Sequence, residues 1–143
     1  MGGALAIDYL SRPELSTPVH DGLRPFAALV TESAPASWPQ IAREAMARHW
    51  LSWPLVIPAL LIPDDHDAEL RVAHLPAIPV LMLHSPDDPI VGIHHARQIL
   101  AHAPPNVRLL ETRGPHIAGL ADAQIRRAFL EQIETAGGER CRP

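Results

Sequence analysis

The sequence predicts an α/β domain with about three parallel strands, flanking helices and a small cap-like helical insertion. Three observations carry this. Apolar runs at 25–31, 79–84 and 106–111 have the length and composition of buried strands. Helical patterns separate and follow them, at the spacing parallel crossovers need. The first run is nearly continuous in apolar residues rather than alternating, as in sheets covered on both faces.

Gly3 to Leu10 reads as a helix, ended by Pro13, and Arg12 to Arg24 as a loop. Pro25 to Thr31 is the first expected strand. Ser37 is placed to cap a helix, with Gln40 completing a capping box and Pro39 tolerated in the first turn. Ile41, Ala45 and His49 would share one face of it. Trp50, Trp53, Leu55, Ile57 and Leu60 extend an apolar region interrupted by prolines 54 and 58. Two readings of that region stand side by side: ordinary core, or a cap that shields a substrate cavity from water.

Pro79 to His84 is the second strand, Gly92 to Ala103 a helix ended by Pro104-Pro105, and Asn106 to Glu111 the third strand. A final helix covers Ala121 to Thr135, with Ile125, Phe129 and Ile133 four apart on its buried face. The expected organisation is one domain over 1–135, a cap-like insertion at 36–76, and a flexible tail at 136–143 that holds the lone Cys141. Three parallel strands alone would leave a hydrophobic edge unpaired.

At 143 residues, 47% hydrophobic and 20% charged, the chain has enough apolar surface for a core and is not a disordered acidic segment. Its net charge is −4, and all 12 positive residues are arginines scattered from 12 to 142. Arg126-Arg127 is a solvated pair rather than a phosphate-binding stripe, so nucleic-acid binding is not expected. Leu51 to Ile62 is too short and proline-broken for a membrane span. Nothing resembles a signal peptide, and a cytoplasmic location is expected.

Asp88 follows the second strand and His116 the third. Carboxyl ends of strands in an open α/β sheet converge on one crevice. There a carboxylate can orient an imidazole, which takes a proton from an attacking hydroxyl and returns it to the leaving group. Glu32, after the first strand, is a second candidate acid, and Asp87 reads as a solvated turn residue. Asp88 also suits a helix N-terminus, and His116 a hydrogen-bonded turn. The nine histidines raise a metal question, but His84, His94, His95, His102 and His116 match no compact zinc spacing. No metal is therefore expected. His84 reads as a strand-end hydrogen-bonding residue, and His94, His95 and His102 as helix-surface residues. Ser33 and Ser85 read as cap or turn residues rather than nucleophiles.

With these residues in place, the chain resembles the C-terminal half of the α/β-hydrolase superfamily. Pro79-Val80-Leu81-Met82-Leu83-His84-Ser85-Pro86-Asp87-Asp88-Pro89-Ile90-Val91 is similar to the family's strand-plus-acid motif, with Ser85 in place of the usual glycine. Arg113-Gly114-Pro115-His116 is similar to the turn before the family's histidine, although the frequent G-x-G-H form is not kept. Met1-Gly2-Gly3-Ala4-Leu5-Ala6 matches the stretch just after the serine of a G-x-S-x-G-G elbow. The middle region looks somewhat like small-cap hydrolases related to serine aminopeptidases.

The resemblance implies Asp88 as acid and His116 as base of a serine hydrolase of ester, thioester or amide bonds, with no cofactor. Met1 would stand where the family has an oxyanion-hole donor. Because no elbow serine precedes it, the expectation is a partial hydrolase, inactive as an isolated chain. The alternatives are a noncatalytic module that binds a protein partner at its sheet edge, and a half-enzyme completed by another chain. An acyl substrate is expected only for a completed site.

Overall fold

A computed structural model describes residues 2–16, 26–48 and 50–138. Met1, the rest of the expected loop to Arg24 with Pro25, His49, and Cys141 in the expected tail lie outside these residues. The elements in order are α1 (Gly2–Leu10), α2 (Pro13–Ser16), β1 (Leu29–Glu32), α3 (Trp38–Ala47), α4 (Ala68–Arg71), β2 (Val80–His84), α5 (Ile93–Ala101), β3 (Val107–Glu111) and α6 (Ala123–Gly138).

The three strands form one parallel sheet in the order β1-β2-β3, with Leu29 opposite Val80 and Val80 opposite Val107. The expected strands are present, although β1 starts at Leu29 rather than Pro25. Burial on both faces holds for β2, where all five residues are buried. It does not hold for the outer two. Val30 is exposed in β1, and only Val107 is buried in β3. The physical reason is cover: α1 packs on β1 and α5 on β2 and β3. The body of α6, by contrast, borders a cavity against Val80 and Leu81. Ile125, Phe129 and Ile133 are accordingly half-buried rather than buried.

Helix α1 contributes Ala4, Ile7 and Leu10 to the core. It sits close against β1 because Gly3 has no side chain: a Cβ there would lie 3.0 Å from Ala34 Cβ and 3.1 Å from Thr31 Cβ. Buried Asp8 ties α1 to the chain ahead of β2, taking His66 at 3.2 Å and Arg71 at 3.3 Å, with Arg12, two residues past the end of α1, at 3.3 Å.

Helix α3 begins as its sequence suggests. Ser37 Oγ accepts the Gln40 N–H at 3.3 Å. The reciprocal arm of the box is replaced, because the Gln40 amide donates to Glu44 Oε1 instead. Buried Asp67 accepts the Trp38 N–H at 2.7 Å and so anchors the helix start to the body. Two 3-10 turns follow, Trp53–Val56 and Pro58–Leu61. Of the two readings of this region, ordinary core is wrong. Trp50 is 87% exposed, Trp53 64% and Leu61 84%. The turns pack on α3 and on each other rather than on the sheet. Among the described residues, no helix is long and apolar enough to cross a membrane.

Candidate active site

The carboxyl ends of all three strands supply the site. After β2 the chain turns sharply: the Asp88 N–H donates to Ser85 O, and Asp88 Oδ1 accepts the Ile90 and Val91 N–H groups at 2.8 and 3.0 Å. His84 Nε2 donates to Val91 O at 2.8 Å and closes this turn from the strand side. The strand-end hydrogen-bonding role expected of His84 is thus what it performs.

The second Asp88 oxygen faces His116, with Oδ2 and Nδ1 2.8 Å apart. The Asp88 carboxylate is buried, and burial alone would raise its pKa. Hydrogen bonds from His116, the Val91 and Ile90 amides and the Ser33 hydroxyl outweigh that and hold it at about 2, below the ordinary 3.8. An ionised carboxylate only accepts, so His116 Nδ1 carries a proton, and in the neutral ring Nε2 is then the nitrogen with the lone pair. This is the tautomer that a general base needs.

The residue reasoning missed is Ser33. It follows β1 in a left-handed conformation at φ 51°, and its hydroxyl goes to Asp88. Its signal was available, since it follows β1 as Asp88 follows β2. Glu32 is not the partner of the imidazole: its Oε1 accepts the Gly119 N–H at 2.8 Å. Asp87 is exposed, with its N–H on Ser85 Oγ. Ser85 Oγ itself donates to Gly114 O at 2.6 Å, so the residue standing in the usual glycine position fastens the histidine turn to the acid turn.

His116 is half-buried and lines a cavity of about 480 Å³ between α3 and the 88–91 turn. The other walls come from Trp38, Ile41, Ala45, Ile62 and Ile90, among other apolar residues. The shared face expected for Ile41 and Ala45 is therefore turned to this cavity. A second cavity of about 450 Å³ lies at the amino ends of the strands, bounded by Leu29, Val80 and Gln132. It is remote from the Asp88–His116 pair. Reactive side chains of such sheets gather at the carboxyl ends, so the first cavity is the candidate site.

The structure corrects one expectation about the histidines. His95 is not on the helix surface but fully buried. His94 Nε2 and His95 Nε2 both face Glu44, at 3.0 and 3.2 Å, a grouping that could in outline hold a metal. The donor chemistry does not fit one. His95 Nδ1 accepts the Ala36 N–H at 3.2 Å, so the proton of the neutral ring sits on Nε2 and no lone pair is left for an ion. Burial lowers the pKa of His95 despite the nearby Glu44 charge, which keeps that ring neutral. The cluster is a clamp between α3 and α5.

No protein-family model and no curated protein matches the sequence. Solved structures do match in fold. An acylaminoacyl peptidase of Pyrococcus horikoshii superposes with TM-score 0.62 at 14% identity, over 93% of this chain and 22% of that one. An esterase of Pyrococcus furiosus gives 0.58 at 17%, over 93% and 49%. The esterase domain of a Rhodothermus marinus protein gives 0.56 at 20%, over 96% and 54%. The chain spans a fifth to about half the length of these three. Three parallel strands with these flanking helices are therefore a partial α/β-hydrolase fold, of the kind found in esterases and peptidases.

Proposed function

We propose that this chain supplies the acid and base of a serine hydrolase of ester, thioester or amide bonds. The nucleophilic serine and the oxyanion donors would come from polypeptide outside these 143 residues. The observation that carries the reading is the 2.8 Å contact between an ionised, buried Asp88 and His116 beside an apolar cavity. In the reaction, His116 Nε2 takes the serine proton as its oxygen attacks the carbonyl, then returns it to the leaving group. Asp88 stays ionised and stabilises the imidazolium. The apolar walls suit an uncharged, apolar group on the substrate. The chemistry requires no cofactor, and a cytoplasmic location belongs to the same reading.

The five serines whose side chains are described support an outside nucleophile. Ser11 donates to Asp8 O, Ser33 to Asp88, Ser52 to Met46 O and Ser85 to Gly114 O, while Ser37 caps α3. Each serves local structure. The test is fluorophosphonate labelling of the protein from its source cells, with intact mass and N-terminal sequence. The expected labelled serine lies in a G-x-S segment absent from these 143 residues, and His116→Ala abolishes labelling. Ester turnover by the pure 143-residue chain through one of its own serines would overturn the reading.

A second reading rests on β1, which has one sheet neighbour among the described residues and exposes Val30. A protein partner could pair along that edge, either as a noncatalytic interaction or as the chain that completes the enzyme. Copurification with a chain ending in a G-x-S elbow would support completion. A stable monomer with its sheet edge closed would oppose both.

A further inference from the structure

We infer that Glu32 is a positioning residue for His116, acting by accepting the Gly119 N–H and so holding the backbone segment that carries the imidazole. The inference rests on His116 being the base of the proposed reaction.

Glu32 ends β1, and Gly119 opens the 3-10 turn Gly119–Ala121, 87 residues later. A helical turn leaves its first N–H groups without partners inside the turn. The residue before this one, Ala118, has no side chain that can cap it. Gly119 is buried, so water does not readily replace the missing partner. Glu32 Oε1, at 2.8 Å, fills the place of a cap from a different strand.

The segment needs such a tie because it is strained. Ile117, next to His116, sits at φ 51°, a left-handed conformation that a β-branched side chain rarely adopts. Such a conformation persists where the surroundings over-determine it. Three restraints outside His116 do so here. Thr112, buried where β3 ends, fills the space beside Gly119: a Cβ on that glycine would come within 2.6 Å of Thr112 Cγ2. Ser85 holds Gly114 on one side of His116. Glu32 holds Gly119 on the other. Without the Glu32 acceptor, the far side of the histidine turn is free to relax Ile117 and carry the ring away from Asp88.

The experiment is NMR on the 143-residue chain with nitrogen-15 histidine, comparing Glu32→Gln and Glu32→Leu with the unaltered protein. Glutamine keeps an acceptor oxygen and leucine does not. Expected for Glu32→Leu is at least tenfold faster solvent exchange of the His116 Nδ1–H, with the tautomer pattern moving to the mixture of a free imidazole. Glu32→Gln should keep both signatures. A folded Glu32→Leu protein with unchanged signatures would overturn the inference, as would a Glu32→Gln protein that loses them equally.

The unaltered protein supplies a check that needs no variant. The Gly119 amide should exchange at least a hundredfold more slowly than exposed loop amides, and exchange at their rate would overturn the inference. None of these readouts uses a substrate or a nucleophile. The hydrolase reading is judged by the labelling experiment alone, so the two can fail separately.

Discussion

His84 and Val91 clasp the acid turn: the imidazole Nε2 at the end of β2 donates to the Val91 carbonyl at 2.8 Å, across seven residues. Asp88 lies inside that clasp and reaches His116 from it. His84 is buried, so its removal leaves a buried carbonyl unpaired as well as a gap. His84→Leu should therefore destabilise the chain by about 1–3 kcal/mol, measured by urea unfolding. It should also lower the occupancy of the Asp88–His116 hydrogen bond, seen as faster exchange of the His116 Nδ1–H.

The acid limb of stability should belong largely to Asp88. Its carboxyl is held at about 2 in the folded chain against an ordinary 3.8. A lowered folded pKa stabilises above the unfolded value, and that contribution disappears as pH falls from about 4 through about 2. Its size is roughly 2 kcal/mol. Unfolding free energies measured across this window should fall with acid in the unaltered protein and fall less steeply in Asp88→Asn. In the completed enzyme, Asp88→Asn should lower kcat by about 10⁴-fold, since asparagine no longer holds the base tautomer.

His95 should resist protonation. Its pKa is lowered by burial, so it favours the fold when neutral, and this contribution declines as pH drops below about 6.5. Its carbon-bound ring protons should show no titration through that pH in NMR spectra. Zinc added in excess should leave the unfolding temperature unchanged. A rise in that temperature that disappears in His95→Ala would contradict the tautomer assigned from the Ala36 contact.

The apolar cavity makes a separate prediction. Ala45→Trp should fill space beside Ile41 and His116 and weaken binding of apolar ligands. In the completed enzyme, KM for a bulky apolar ester should rise about tenfold or more, while a short acetyl ester should be affected less. Equal effects on both esters would place the apolar substrate group elsewhere.

The exposed tryptophans should be dispensable for folding. Trp50→Gln and Trp53→Gln remove large side chains that are mostly in solvent, and each should change stability by no more than about 0.5 kcal/mol in urea unfolding. A loss of about 3 kcal/mol would mean that the 50–61 segment is covered in solution.

Pattern and spacing were enough for the sheet. Each strand is a short apolar run with a helix pattern after it, and that local signal survives in β2, α5 and β3 with ends displaced by one or two residues. The proximity of Asp88 to His116 was legible too, because both follow parallel strands whose carboxyl ends must converge. The 50–61 segment was not legible. Its apolar content is the same whether it faces core or solvent, and what decides is whether another element lies over it. His95 failed for the opposite reason. Its neighbour His94 is half in solvent, and a one-residue step around a helix turns a side chain by about 100°.

The amino-acid sequence by itself determined the strand–helix alternation, the placing of Asp88 and His116 after successive strands, and the composition that argues against a nucleic-acid binder. These depend on local periodicity and on chain order. Only the tertiary structure decided which oxygen of Asp88 meets His116, that Ser33 joins them, that Glu32 is bound to Gly119, and that α3 walls a cavity. Those contacts join residues 28 to 87 positions apart. Their distances are set by strand register and turn geometry, which no local stretch of sequence encodes.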